Sequence, residues 1–230
     1  MIRVDKALAS MGIGSRSDVK KMLKDRRVTI NGEIVRDGSL KMDEDAEILI
    51  DGMLFRYQKF TYLMMNKPAG VISATEGLDP TVIDLIEMPV KGLFPCGRLD
   101  KDTTGLLLIT NDGQLAHQLL SPKHHVEKEY EVTLRDAVSE EDIAKIAAGV
   151  EEGGDLFMPA VYKKLTDTSG RIILHEGKFH EIKRIFSALG NEVTSLKRVR
   201  MKDLVLDDDL APGEYRELCE EELKGLQGLL

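Results

Sequence analysis

The chain has 230 residues, 42% of them hydrophobic and 31% charged, and a formal net charge of −8. That length buries a core in one or two domains, and the acidic balance excludes a wholly basic nucleic-acid coat. No apolar run approaches the roughly 18 residues of a membrane span, and two cysteines, Cys96 and Cys219, are too few for a disulfide framework or a four-thiolate zinc site. No histidine pair has metalloprotease spacing, and no glycine loop matches a nucleotide fingerprint. The opening MIRVDKALAS places Asp5 and Lys6 where a signal peptide needs an apolar stretch, so a cytoplasmic location is expected.

Val4, Ala7 and Leu8 predict a short helix over 3–10, and Gly12 and Gly14 interrupt the chain after it. Ser15 is an N-cap candidate with Asp18 three positions on. Val19, Met22 and Leu23 then form the apolar stripe of a helix over 15–26, while Lys20, Lys21, Lys24, Arg26 and Arg27 fall mostly off it. VTINGEIV, 28–35, is a hairpin signal, because a type I′ turn needs positive φ twice and Asn31-Gly32 supplies it. A strand at 46–50 leads to the turn Asp51-Gly52. This compact unit ends near residue 57, before the linker FRYQKFT.

YLMMNKPAGVIS, 62–73, predicts strands at 62–65 and 71–72 around the turn Lys67-Pro68-Ala69-Gly70. Residues 80–88 read as a short helix. TGLLLIT, 104–110, reads as a buried strand closed by a turn at 111–113, with a helix over 114–120. YEVTL, 130–134, alternates like a half-buried strand. Ser139 and Glu140 open a helix over 138–149, and strands are expected near 158–164 and 171–175. FHEIKRIFSALG, 179–190, is an amphipathic helix with Phe179, Ile182, Ile185, Phe186 and Leu189 along one side and Gly190 as its stop. Strands at 192–198 and 203–206 follow, then an acidic tail with a last short helix. Strands outnumber helices without strict alternation, which predicts an α+β protein with a mixed or antiparallel sheet. The expected division is a small module at 1–57 and a larger domain at 62–230.

Charge is unevenly spread. Residues 1–41 hold ten Lys/Arg against five Asp/Glu, residues 171–202 eight against three, and residues 203–230 two against nine. The two basic segments fit either a local polyanion footprint or solvated faces. The densest cluster of chemistry is GRLDKDTTG, 97–105, a charged loop leading into the apolar strand. By itself it reads equally as a capped turn with solvated charges. Asp100 and Asp102 share a face if the segment is extended, so spacing does not choose between them.

GRLDKDTTG resembles the signature of ribosomal RNA pseudouridine synthases that carry an S4-like RNA-binding domain. MMNKPAGVIS, GLLLITNDG, SPKHHVEKEY, EGKFHEIKRIF and LAPGEYR match the same family in the same order, and the basic helix before the hairpin resembles its S4-like module. The resemblance implies a pseudouridine synthase fold after residue 62 and the isomerisation of a uridine in structured RNA. It implies no metal and no other cofactor.

By resemblance, Asp100 is the catalytic carboxylate, Lys183 its basic partner and Tyr130 the residue that stacks on the target base. Arg98 enters the RNA helix when the uridine flips out. Lys67 and Pro68 shape a loop beside the site. Arg16, Lys20, Lys21, Lys24, Arg26 and Arg27 track RNA backbone, and Lys197, Arg198, Arg200 and Lys202 meet phosphates. The short module and the ending after LAPGEYR are most similar to the small-subunit, 16S-directed branch. A 23S-directed enzyme and a non-catalytic RNA-binding or ribosome-assembly factor are the alternatives. The expected partner is ribosomal RNA, naked or within a pre-ribosomal particle. No membrane is involved, and the chain is expected to be a monomer.

Overall fold

A computed structural model describes residues 1–228. The chain divides into two compact units, one formed by Met1–Thr61 with Glu87–Leu93 and the other by Tyr62–Ile86 with Phe94–Leu230. Residues 87–93 therefore cluster with the first unit, an excursion that a simple boundary near residue 60 does not contain.

The first unit opens with β1 (Ile2–Arg3), α1 (Val4–Ser10) and α2 (Arg16–Lys24). Ser15 caps α2 and Asp18 returns the bond to the Ser15 N–H, a complete capping box. Strands β2 (Val28–Ile30), β3 (Glu33–Ile34), β4 (Lys41–Met42), β5 (Ile48–Ile50) and β6 (Met53–Phe55) follow. A four-stranded antiparallel sheet runs β3-β2-β5-β6, and β1 pairs with β4. Asn31-Gly32 and Asp51-Gly52 each take positive φ at both positions, which turns the two hairpins with the twist of their strands. Val4, Leu8, Val19, Leu23, Val28, Ile48 and Ile50 form one core, so the helical stripe and the inward strand positions meet.

The second unit is built on a nine-stranded mixed sheet. Its elements are β7 (Tyr62–Lys67), β8 (Phe94–Pro95), β9 (Thr104–Thr110), α3 (Gly113–Leu120), a 3-10 turn at Pro122–His124, β10 (Lys128–Leu134) and α4 (Glu140–Ala148). Then come the small hairpin β11 (Glu151–Glu152) and β12 (Asp155–Leu156), β13 (Val161–Lys164), β14 (Ser169–Leu174), α5 (Glu181–Ala188), β15 (Val193–Met201), β16 (Leu204–Val205), β17 (Tyr215–Glu217) and α6 (Glu220–Gln227). The main order is β13-β14-β10-β15-β9-β7-β17, with β16 on β15 and β8 on β9. Only the β15–β9 seam is parallel among these pairs.

The central strands β7 and β9 are buried along nearly their whole length, as continuous apolar runs require, whereas β10 alternates. Leu115, Ala116 and Leu119 of α3 and Leu226 of α6 pack with Met64, Leu106, Leu108 and Met201 of the sheet.

Two expectations fail locally. Residues 80–88 form turns rather than a helix. Thr81 and Asp84 exchange the bonds of a helix start, but Pro89 keeps Met88 out of helical geometry and only a turn survives. Residues 71–72 form no strand; Ile72 makes a single bridge to Thr81.

Candidate active site

The loop at 97–103 is held from beneath by β7. Lys67, fully buried at the strand end, donates through Nζ to the carbonyls of Thr103 (2.8 Å), Asp100 (3.0 Å), Pro68 (3.1 Å) and Lys101 (3.3 Å). Ser73 Oγ donates to the Leu99 carbonyl and accepts from the Leu99 N–H, and the Gly70 N–H donates to the Lys101 carbonyl at 2.8 Å. Thr103 N–H closes the loop onto the Asp100 carbonyl. Burial pushes Lys67 down to about 8, against the pull of Asp102 and Asp100. At the exit of the loop, Gly105 has a φ of +96°, and a Cβ there would lie 2.2 Å from the Arg198 carbonyl oxygen. Only glycine lets β9 approach β15 along the parallel seam.

α5 supplies the other half. His180, the residue just before α5, and Lys183 in its first turn both reach Asp100. Lys183 Nζ lies 3.0 Å from Asp100 Oδ2 and 2.7 Å from Asp102 Oδ1; His180 Nε2 lies 3.5 Å from Asp100 Oδ1. Burial works against the Lys183 charge, but Asp102 and Asp100 outweigh it and raise its pKa. Lys183 in turn holds the Asp102 carboxyl below its usual range. The two aspartates differ in setting. The Asp102 side chain is 72% exposed, whereas that of Asp100 is 24% exposed and faces a cleft.

That cleft is walled by Leu99, Leu174, Ile182 and Leu196, with Tyr130, Arg98 and Glu181 around it. Tyr130 is buried on β10, opposite Arg198 on one side and Ile172 on the other. Arg98 is exposed and has no hydrogen-bond or ion-pair partner among the described residues. Glu181 is 4% exposed; its Oε2 accepts from the Lys178 N–H, its Oε1 has no hydrogen-bond partner among the described residues, and burial, with Glu176 nearby, raises its pKa to about 7.

The remaining expected residues divide. Arg16, Lys20, Lys21, Lys24 and Arg26 are exposed on the first unit; Arg27 is exposed but held by Asp51. Lys197 is half-buried on β15. Three expected phosphate ligands need correction. Arg198 is 2% exposed and spends its Nε on the Leu106 carbonyl, because the alternation of β15 turns it inward. Arg200 is neutralised by Glu129 and Glu127, and Lys202 donates to carbonyls at the end of α6. Sequence reading also missed His180 and Glu181, although both lie in the EGKFHEIKRIF segment. The three-residue spacing from His180 to Lys183 was the available signal for the first. The burial of Glu181 had none.

The sequence matches the RNA pseudouridylate synthase family over residues 61–188 and the S4 domain over residues 2–48. The chain belongs to the RNA pseudouridylate synthase family. It is 50% identical to "Uncharacterized RNA pseudouridine synthase YtzG" of Bacillus subtilis (strain 168), over 96% of this chain and 97% of the relative. It is 42% identical to "Ribosomal small subunit pseudouridine synthase A" of Escherichia coli (strain K12), over 96% of this chain and 98% of the relative. A solved structure described as "Crystal structure of pseudouridylate synthase" is similar with a TM-score of 0.71 and 40% identity, covering 98% of this chain and all of the other.

Proposed function

We propose that this enzyme isomerises a specific uridine of 16S ribosomal RNA to pseudouridine, with Asp100 as the carboxylate that acts on the extruded nucleotide. The observation that carries this is the placing of the Asp100 carboxylate between Lys183 and His180, at a cleft shared with Tyr130. Breaking the bond from the sugar C1′ to the uracil N1 develops positive charge at the sugar. An ionised carboxylate can accept that centre covalently or serve as a base beside it. The freed uracil carries the bonding electrons on N1 and turns; C5 then bonds to C1′, releasing the Asp100 carboxylate where it had attached, and the C5 proton is lost to solvent while N1 takes one up. Leu99, Leu174, Ile182 and Leu196 give the detached base an apolar surface to rest on beside the Asp100–Lys183 pair.

The small-subunit target is supported by the name of the 42% identical relative. The roles read from this are Tyr130 stacking on the base and Arg98 filling the space the uridine vacates. Residues 1–57 serve as an RNA grip through Arg16, Lys20, Lys21, Lys24 and Arg26. The chain works as a monomer in the cytoplasm, on RNA either free or in a pre-ribosomal particle. Mapping pseudouridines in ribosomal RNA from cells with and without the gene names the uridine. Asp100→Asn is expected to abolish tritium release from C5-labelled RNA while RNA affinity stays within a few-fold. Near-normal turnover by this variant removes Asp100 from its role.

A further inference from the structure

We propose that the ring of Phe179 is a stacking platform for the RNA base next to the target uridine. This rests on the reading of the cleft as the uridine site. The residue is out of place by every structural criterion. Helical periodicity assigns it to the buried side of α5, yet the helix begins at Glu181 and Phe179 is 76% exposed. Among the six phenylalanines and five tyrosines, all within the described residues, it alone is exposed. A failure of local patterning of this kind is what a functional position produces.

The ring is also held. It stacks on the His180 imidazole with centroids 3.7 Å apart and planes 21° apart. His180 takes a φ of +50°, a left-handed conformation unfavourable for a residue with a Cβ, and so turns the chain just before α5. The same imidazole reaches Asp100 at 3.5 Å, and Lys178 and His180 both line the cleft. Phe179 does not line the cleft itself; it sits between two residues that do, with one face against the His180 ring that reaches Asp100 and most of its surface in water. When a uridine leaves the RNA stack, its neighbour loses a stacking face. An aromatic ring at the rim replaces that face whatever the base, because every base has a π surface.

The test uses a 16S RNA fragment centred on the mapped uridine, and the same fragment with an abasic nucleotide at the 5′ or the 3′ neighbour. Affinities are measured for the wild type, Phe179→Leu and Phe179→Trp. Loss of one base–aromatic stack corresponds to roughly a 5- to 150-fold weakening. Phe179→Leu is expected to weaken binding within that range, and Phe179→Trp to match or exceed the wild type. At one neighbour position, the abasic RNA costs the wild type the same factor and costs Phe179→Leu nothing more. Phe179→Leu binding within twofold of the wild type overturns the proposal, as do losses that multiply at both abasic positions. The first of these is also the result expected if the ring instead faces a protein. Tritium release by the wild type runs alongside. Turnover with an unaffected Phe179→Leu sinks the platform alone, whereas absence of wild-type turnover on both the fragment and a pre-ribosomal particle sinks the uridine site and the platform with it.

Discussion

Lys67→Met keeps most of the volume of a fully buried side chain and deletes the ammonium that gathers four carbonyls under the 97–103 loop. Two opposed effects set the size of the change. Hydrogen bonds to a charged group contribute roughly 1.5–3 kcal/mol each, and a buried acceptor left bare costs roughly 1–3 kcal/mol. Against them stands the burial of the charge: a pKa pushed from 10.5 to about 8 corresponds to about 3 kcal/mol. Three of the carbonyl contacts are only partly buried and can turn to water, while the Thr103 contact is buried. A net loss of about 2 kcal/mol near neutral pH follows. Turnover falls on the order of a hundredfold as the loop loosens around Asp100.

The pH dependence is sharper. With the folded pKa depressed, the native chain holds fewer protons than the unfolded chain between pH 8 and 10.5. The advantage of the wild type over Lys67→Met is therefore flat below pH 8 and grows by up to about 3 kcal/mol across that window. Urea denaturation of both proteins at pH 7, 9 and 10.5, with tritium release at pH 7, measures it. An advantage that stays level or shrinks from pH 8 upward refutes the argument, as does normal turnover by the variant.

Glu181→Gln tests the opposite case. Burial raises the Glu181 pKa to about 7, so the folded chain binds more protons than the unfolded chain from pH 4.5 to 7 and loses stability across that interval. The glutamine variant is expected to be more stable than the wild type at pH 8 and to lose this advantage near pH 4.5, as read by urea denaturation at both pH values; a wild type that is the more stable at pH 8 contradicts it. Replacing Lys20, Lys21 and Lys24 together by glutamine should weaken RNA binding and flatten its salt dependence by roughly 0.7–0.9 in the log–log slope for each phosphate no longer neutralised. An unaltered slope removes α2 from the RNA surface.

The local signals that read correctly were those in which one physical constraint dominates. Asn31-Gly32 had to turn, Ser15 had to cap, and TGLLLIT had to be buried, because no alternative satisfied the backbone or the apolar surface as well. Arg198 was misread because its character depends on the phase of β15, which alternation alone did not anchor; the pairing with Gly105 sets it. The short helix at 80–88 failed because a good helix start meets Pro89 too soon. Asp100 and Asp102 were inseparable as letters. Their difference is made by Lys67 and Ser73, distant in sequence, which fix the loop carbonyls, and by α5, which brings Lys183 between the two carboxylates.

The carboxylate and its cation come from segments some eighty positions apart, and the seam that steadies the loop is closed by β15 near residue 200. The apolar core of the first unit, by contrast, draws on residues no later than Tyr57, although Glu87–Leu93 also cluster with that unit. During synthesis from the N-terminus, at about 5–20 residues per second, roughly 7–30 seconds separate the two events. A growing chain thus acquires its means of holding RNA well before it can alter a base. Catalysis waits until almost the whole protein has left the ribosome.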